Sequence, residues 1–429
     1  MKKIIFFFLY SFLSIITKAF SQDIYIDNLV SILQELREAT TKHTDLWDKE
    51  LYGGLLFVDP KTRIVYANEP DKERCLQPTK GLYIGTLPTE INIANTAMKW
   101  GGKEWAMVML PLPDKKEERI TLLAHELFHR LQPQLHFINE ERDNAHLDTQ
   151  EGRIYLRLEL EALKKALFAK TLKEQRKHLM HALAFRTYRY QLFPKAVEDE
   201  NVMEKNEGLA EYTGLTVAGF QNNPSVGNYF KVRIENFEKN PTFVRSFAYT
   251  TIPIYGYFAF KEKKYWNKDI TNETNLTDYF IKFFNITLPE NFSKFLNKWV
   301  NIYNGVKITE QEKIREQQRQ QLLTHYRAKL IDRPHLRITF QKMKLSFDPR
   351  NVIPLEGAGT VYPQIRITDV WGVLSVTGGA LISSDWRTVT VEAPIEINGN
   401  RAQSKSWNLI LEKGYTIVEQ EGNYIVCPQ

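Results

Sequence analysis

The segment Glu118–Gln132 reads ERITLLAHELFHRLQ. Four of its apolar residues follow the spacing of a helix with one apolar face. They are Ile120, Leu123, Leu127 and Leu131. Residues four positions apart lie on the same side of a helix, so His125 and His129 project side by side. Two imidazoles placed in this way can bind one Zn²⁺ ion, and the segment therefore predicts an amphipathic helix that carries two metal ligands.

The residue after the first histidine, Glu126, completes a His-Glu-x-x-His pattern. In this pattern the glutamate can act as general base on a metal-bound water, while zinc polarises the carbonyl that is attacked. With nine histidines in 429 residues the pattern arises by chance about 0.01 times per chain. The motif thus indicates a zinc site, and the alternative is two surface histidines on an ordinary helix.

A zinc site that keeps one position open for water needs a third protein ligand. Residues 206–212 read NEGLAEY and continue as a helix by their apolar spacing. Glu207 and Glu211 lie one turn apart, so one can bind the metal while the other hydrogen-bonds a ligand histidine. Glu159 and Glu161, in a charged helix between the two motifs, remain rival third ligands.

HExxH followed by Asn-Glu-Gly-x-Ala resembles the gluzincin group of metallopeptidases, which includes thermolysin-like and aminopeptidase-like branches. The resemblance covers two short motifs and not the whole chain. It implies three zinc ligands and a catalytic base, namely His125, His129 and Glu207 as ligands and Glu126 as the base. The interval between the motifs is long for this group. The Gly-x-Met-Glu-Asn segment of the aminopeptidase branch is missing ahead of the helix, so amino-terminal trimming is not implied.

The stretch at residues 247–257, FAYTTIPIYGY, resembles the tyrosine-bearing segment that some gluzincin relatives carry after the second motif. Tyr249 and Tyr255 are therefore candidates for stabilising the oxyanion, although aromatic residues at helical spacing also occur in cores. By the same resemblance, residues 105–110 form the sheet edge along which an extended peptide pairs. An ordinary core strand is the alternative.

The first residues have the three parts of a secretory signal: Lys2 and Lys3, an apolar run at 4–16, and the small residues Ala19 and Ser21. This predicts cleavage before Gln22 and a secreted or periplasmic protein with no stable membrane insertion. A retained anchor is the alternative, but the run is shorter than the roughly 20 residues that span a bilayer.

Hydrophobic periodicity changes twice along the chain and predicts an α+β fold. The predicted regions are a signal peptide at 1–21, a mixed α/β region at 22–117, a mainly helical catalytic region at 118–333, and an antiparallel β-sandwich at 334–429. Long charged helices are predicted at 149–179 and 310–331. Cys75 and Cys427 either form one bridge or stay free, since sequence does not give their separation.

The net charge is +6, and three lysines of that surplus lie in the signal segment. Because no dense basic run interleaved with aromatic residues is present, a nucleic acid partner is not expected. The sequence therefore predicts an exported zinc metallopeptidase that acts on a peptide or protein substrate. The alternatives are a noncatalytic binding or scaffold protein that retains a zinc helix, and a zinc hydrolase of non-peptide amides or esters.

Overall fold

A computed structural model describes residues 25–138, 140, 142–347 and 352–429. The predicted signal peptide lies outside the described residues. The chain divides into two units. The first takes the described residues up to Leu147, together with Tyr155–Lys239 and Phe243–Asn304, and the second takes Asp148–Ile154, Asn240–Thr242 and Gly305–Gln429.

The first unit begins with a helix, α1 (residues 25–41), and continues into a six-stranded mixed sheet. Its strands are β1 (Leu55–Val58), β2 (Ile64–Ala67), β3 (Gln77–Thr79), β4 (Leu82–Thr86), β5 (Thr96–Trp100) and β6 (Lys103–Met109). Their order is β3-β4-β2-β1-β6-β5. The central strand β1 is wholly buried, which explains its uninterrupted apolar sequence.

Strand β6 was predicted by resemblance to be the edge of this sheet, and this prediction is wrong. β6 pairs in parallel with β1 on one side and antiparallel with β5 on the other, so both of its edges are used. The residues that follow β5 form a turn at Gly101 and Gly102, whose positive φ angles of 57° and 70° allow β6 to return beside it. The edge strand next to β6 is therefore β5.

Helices form the rest of the first unit, and no strand occurs among the described residues between β6 and His335. The helices are α2 (Lys116–Leu131), α3 (Gln150–Leu167), α4 (Leu172–Leu192), α5 (Ala196–Met203), α6 (Leu209–Val217), α7 (Val226–Phe237), α8 (Ala248–Glu262), α9 (Leu276–Phe283) and α10 (Phe292–Trp299). The single helix predicted at 149–179 is in fact two helices. Thr171 caps the second, because its hydroxyl accepts a hydrogen bond from the Glu174 amide.

The second unit contains α11 (Gly305–Arg327) and two sheets that share one apolar core. Its strands are β7 (His335–Thr339), β8 (Lys344–Phe347), β9 (Ile353–Leu355), β10 (Gly359–Tyr362), β11 (Ile365–Asp369), β12 (Gly372–Val376), β13 (Ala380–Ser383), β14 (Thr388–Glu392), β15 (Glu396–Asn398), β16 (Arg401–Gln403), β17 (Trp407–Leu411), β18 (Tyr415–Gln420) and β19 (Asn423–Pro428). The sheet orders are β18-β19-β7-β14-β13-β10-β9 and β15-β16-β17-β12-β11-β8. All pairs are antiparallel except β19 with β7, so the predicted α+β class with a C-terminal antiparallel β-region is confirmed.

The structure shows the state of the two cysteines and the character of the helices. Both cysteines are free thiols, Cys75 in the first unit and Cys427 in the second. Among the described residues, none of the helices has the length and apolar character that a membrane crossing requires.

Candidate metal centre

Helix α2 places both histidines of the first motif on its buried face. The apolar residues of that face are buried, and His125 is only 4% exposed. Because the two histidines are one turn apart, their rings come together, with 4.7 Å between ring centroids and 3.0 Å between the two Nε2 atoms. The prediction that both imidazoles point to one place is therefore confirmed.

The second motif lies on a helix that contains one π-helical turn. Helix α5 ends at Met203, the π-turn spans Glu204–Gly208, and α6 follows from Leu209. A π-turn adds a residue to the local repeat and so rotates the helix that follows it; such turns recur at functional sites. Here Glu207 in the π-turn and Glu211 in α6 both reach the histidines of α2.

Helices α2 and α6 pack closely because α6 carries a glycine at their crossing. A β-carbon at Gly214 would lie 2.4 Å from the carbonyl oxygen of Thr121. No side chain fits at that distance, so this position admits only glycine without movement of a helix. The close approach brings the carboxylates of the second motif within reach of the first.

Three donor atoms form a nearly equilateral triangle. The Oε2 atom of Glu207 lies 3.3 Å from Nε2 of His125 and 3.2 Å from Nε2 of His129, and the two Nε2 atoms are 3.0 Å apart. Two ligand atoms of a tetrahedral zinc ion, each at about 2.05 Å from the metal, are about 3.3 Å apart. The described residues therefore contain a His-His-Glu cluster at metal-binding distance, with geometry that fits a small divalent cation.

The other ring nitrogens of the two histidines are already used. Nδ1 of His125 lies 2.9 Å from Oε2 of Glu211, and Nδ1 of His129 lies 2.8 Å from Oε1 of Gln132. Arg233 in turn donates to the Glu211 carboxylate at 2.6 Å. Outer hydrogen bonds of this kind orient histidine ligands and increase their basicity, so both Nε2 atoms face the Glu207 carboxylate.

The carboxylates of Glu207 and Glu211 place negative charge in the cluster, and a positive charge beside them stabilises it. Burial alone lowers the pKa of His125, but hydrogen bonds to Glu207 and Glu211 outweigh it and raise the pKa to about 10. Burial likewise opposes ionisation of the two carboxyls, yet His125 and His129 hold the pKa of Glu207 well below its usual range. Arg233 and His125 lower that of Glu211 to about 2. Either a proton on His125 or a metal ion between the ligands can supply this positive charge.

Glu126 lies beside the cluster without taking part in the triangle. It is 4% exposed, and its Oε2 atom is buried with no hydrogen-bond partner among the described residues. Burial raises the pKa of Glu126, and the nearby His125 and His129 only partly counteract it. A buried carboxylate oxygen without a hydrogen-bond partner is costly, and it is free to accept a proton from a group placed beside it.

Of the two candidate tyrosines, the structure brings only Tyr249 to the cluster. Its hydroxyl donates to Oε2 of Glu207 at 2.5 Å, and its ring stacks on His125 with 5.5 Å between centroids. Burial and the Glu207 charge raise the pKa of Tyr249 far above its usual value, so the phenol keeps its proton. Tyr255, fully buried, instead donates to Glu159 at 3.0 Å.

The rival third ligands lie elsewhere in the first unit. Glu159 is fully buried in an ion-pair network with Arg186 at 2.7 Å and Arg189 at 3.0 Å. Glu161 is paired with Lys164 and accepts a hydrogen bond from Asn304. Both carboxylates are therefore committed to other cations or donors, and Glu207 is the carboxylate that the structure places against the Nε2 atoms.

Two residues of the centre were missed in the sequence. Gln132 stands three positions after His129, a spacing that places side chains together on a helical turn, so a local signal existed. Arg233 comes from a separate helix, α7, and no local pattern connects it with Glu211. It also donates to the Tyr249 carbonyl at 3.1 Å and so joins the outer carboxylate to α8.

Comparisons with protein-family models, with curated proteins and with solved structures gave no match to this chain.

Proposed function

We propose that this chain is an exported zinc metallopeptidase, of the gluzincin type that its two motifs resemble, and that it cleaves peptides or proteins in a secreted or periplasmic setting. The observation that carries the proposal is the triangle of donor atoms from His125, His129 and Glu207. Two imidazoles and one carboxylate with an open fourth position form the donor set of hydrolytic zinc sites. Export rests on the sequence pattern of residues 1–21.

The same donor set also suits non-haem iron, and one feature favours zinc and hydrolysis. Glu126 places a buried, unpartnered carboxylate oxygen next to the metal ligands. Hydrolysis requires such a proton acceptor for the attacking water. Oxygen chemistry at iron does not depend on it. We therefore assign the site to zinc-assisted hydrolysis.

Each residue has a distinct role in the proposed reaction. When bound, zinc would supply Lewis acidity for the scissile carbonyl and lower the pKa of water. Glu126 takes the proton of the attacking water and passes it to the leaving amine, and its raised pKa makes the carboxylate a better acceptor. Tyr249 keeps its phenolic proton, and its hydroxyl turns from Glu207, to which it donates in this structure, to donate a hydrogen bond to the developing oxyanion.

The N-terminal sheet supports a peptide as substrate. Strand β5 is the outer strand of the sheet beside α2, and its far edge pairs with no other described strand. Backbone groups on a free edge can pair with an extended peptide and bind it without strong sequence preference. A small ester or amide has no extended backbone that could pair with this edge. The free edge of β5 therefore favours a peptidase over a hydrolase of non-peptide compounds.

The proposal is tested with Glu126→Gln, which removes the proton acceptor but keeps the shape of the side chain. We expect unchanged zinc content by metal analysis and a loss of about 10²–10⁴-fold in kcat on a casein or peptide-library substrate. Glu117→Gln, an exposed change on the same helix, is the matched control and should behave as wild type. Full activity of Glu126→Gln, or iron in place of zinc in the wild type, would overturn the proposal.

The ligand assignment is measured in the same preparations. His129→Ala and Glu207→Ala should lose most bound zinc, whereas Glu159→Ala should keep zinc and lose stability because Arg186 and Arg189 lose a buried partner. Zinc retention by Glu207→Ala together with zinc loss in Glu159→Ala would reverse the assignment. A zinc-containing wild type that cleaves no peptide would instead support the noncatalytic binding protein.

A further inference from the structure

The side-chain amide of Gln132 contacts both motifs of the centre. Gln132 directly follows α2 and is only 4% exposed. Its Oε1 atom lies 2.8 Å from Nδ1 of His129. Its Nε2 atom lies 2.9 Å from the carbonyl oxygen of Asn206 and 3.3 Å from that of Lys205. One planar group therefore bridges a histidine of the first motif and the backbone of the second.

The two carbonyls fix the orientation of the amide. Carbonyl oxygens only accept hydrogen bonds, so the NH₂ group of Gln132 must face Lys205 and Asn206. The Oε1 atom of the amide then faces His129, and because this oxygen also only accepts, Nδ1 of His129 must carry the hydrogen. Nε2, the atom that points at Glu207, is then the nitrogen of His129 that is left to bind a metal ion.

The same contacts hold the π-turn. Lys205 and Asn206 lie within Glu204–Gly208, the turn that presents Glu207. Their carbonyls are tied to the end of α2 by Gln132, and the side chain of Asn206 donates to Oε1 of Glu207 at 3.1 Å. The position of the carboxylate and the orientation of the imidazole thus depend on a single amide.

We propose that Gln132 is a positioning residue that sets His129 and Glu207 together for metal binding, an arrangement that we call the Gln132 clamp. The proposal rests on the proposed function only in taking zinc as the metal. It goes beyond the motifs, because neither contains Gln132. The clamp requires that loss of the amide weakens metal binding through both ligands at once.

Zinc affinity is the first readout. Gln132→Met keeps the length of the side chain and removes both hydrogen-bonding functions, and we expect zinc to bind about 10–100-fold more weakly in chelator competition. Gln134→Met, an exposed change in the same short segment, is the control and should leave the affinity unchanged. A circular dichroism melt establishes that each variant is folded. Affinity in folded Gln132→Met equal to that of wild type would overturn the clamp.

A double-mutant cycle separates the clamp from a role on His129 alone. In the Glu207→Ala background, Gln132→Met should weaken zinc binding by at most about threefold, because one of the two ligands that the amide positions is gone. If Gln132→Met weakens zinc binding by the same factor in wild type and in Glu207→Ala, Gln132 acts on the histidine only, and the clamp is wrong.

The imidazole itself gives a readout that needs neither zinc nor activity. In the metal-free protein, ¹⁵N NMR of His129 should place the hydrogen on Nδ1 in wild type and lose this preference in Gln132→Met. If wild type takes up no zinc but shows this difference, the proposed function fails while the positioning by Gln132 stands. If both proteins show the same mixture of tautomers, the clamp fails even where hydrolysis is found.

Discussion

Tyr249 and Tyr255 stand on the same helix, α8, and differ only in what they meet. Tyr249 donates to the metal-ligand candidate Glu207, whereas Tyr255 donates to Glu159 within a fully buried ion-pair network. Sequence alone made both candidates for the oxyanion donor, because both follow the second motif. Their surroundings differ: Tyr249 contacts the candidate metal centre, and Tyr255 contacts the buried ion-pair network.

Phenylalanine at each position tests whether the two tyrosines have different roles. Tyr249→Phe should keep zinc and lower kcat by about 10²–10³-fold with little change in KM, since it removes a donor that acts on the transition state. Tyr255→Phe should leave kcat intact and lower the free energy of unfolding by about 1–3 kcal/mol, since a buried oxygen of Glu159 loses its donor. Steady-state kinetics and denaturant melts on both variants measure the two effects. Equal losses of kcat would contradict the division of roles.

Among the candidate metal ligands, those close together along the chain could be predicted from the sequence, and the distant one could not. His125 and His129 were found because helical geometry fixes the relation of residues four apart. Glu207 could not be separated from Glu159 by sequence, because the choice depends on Arg186 and Arg189, which neutralise Glu159 from another helix. Arg233 was missed for the same reason: only the fold brings it to Glu211.

Helices and strands that follow from local sequence patterns could be predicted, whereas those set by tertiary contacts could not. The strand-rich region predicted at 334–429 is present, since alternating apolar residues mark strands with one buried face. The break between α3 and α4 was missed although Thr171 and Glu174 have the spacing of a capping box. The π-turn at Glu204–Gly208 left no signal, because tertiary contacts from Gln132 and Arg186 hold it.

Gly208 ends the π-turn and lets helix α8 approach it. A β-carbon there would lie 2.6 Å from Cγ1 of Ile252 and 3.2 Å from the Ala248 carbonyl. Gly208→Ala should therefore push α8 and Tyr249 away, lowering the free energy of unfolding by about 1–3 kcal/mol and weakening zinc binding.

Gly227→Ala in helix α7 is the control, since the added carbon meets Phe168 only at 3.6 Å. Alanine in a helix is favoured over glycine by about 0.5–1 kcal/mol, so this variant should be as stable as wild type or more so. Chemical denaturation and metal analysis compare the free energy of unfolding and the zinc binding of the two variants. A Gly208→Ala protein with the stability and zinc affinity of Gly227→Ala would refute the role of the close contact.

At the scale of the whole molecule, all donor atoms of the candidate metal centre belong to the first unit. The second unit has its own core, in which Trp371 is 1% exposed. Trp371→Ala should lower the stability of the second unit by about 3–5 kcal/mol and leave one zinc per folded first unit. Trp386→Ala, at a position 48% exposed, should change stability little. Calorimetry with metal analysis tests this, and zinc loss in folded Trp371→Ala would contradict it.

The chain enters the second unit three times, in Asp148–Ile154, in Asn240–Thr242 and finally from Gly305 onward. During synthesis on the ribosome, the two short segments emerge long before the strands with which they are grouped. Arg153 also pairs with Asp148, at 3.5 Å, but its contact with Glu312, at 2.7 Å, forms only when α11 has been made. Strand β7 gains its neighbour β19 only when Asn423–Pro428 has been made. A nascent chain stalled before Asn423 would thus carry all three residues of the candidate metal centre and still expose the unpaired edge of β7 to the quality-control machinery of the cell.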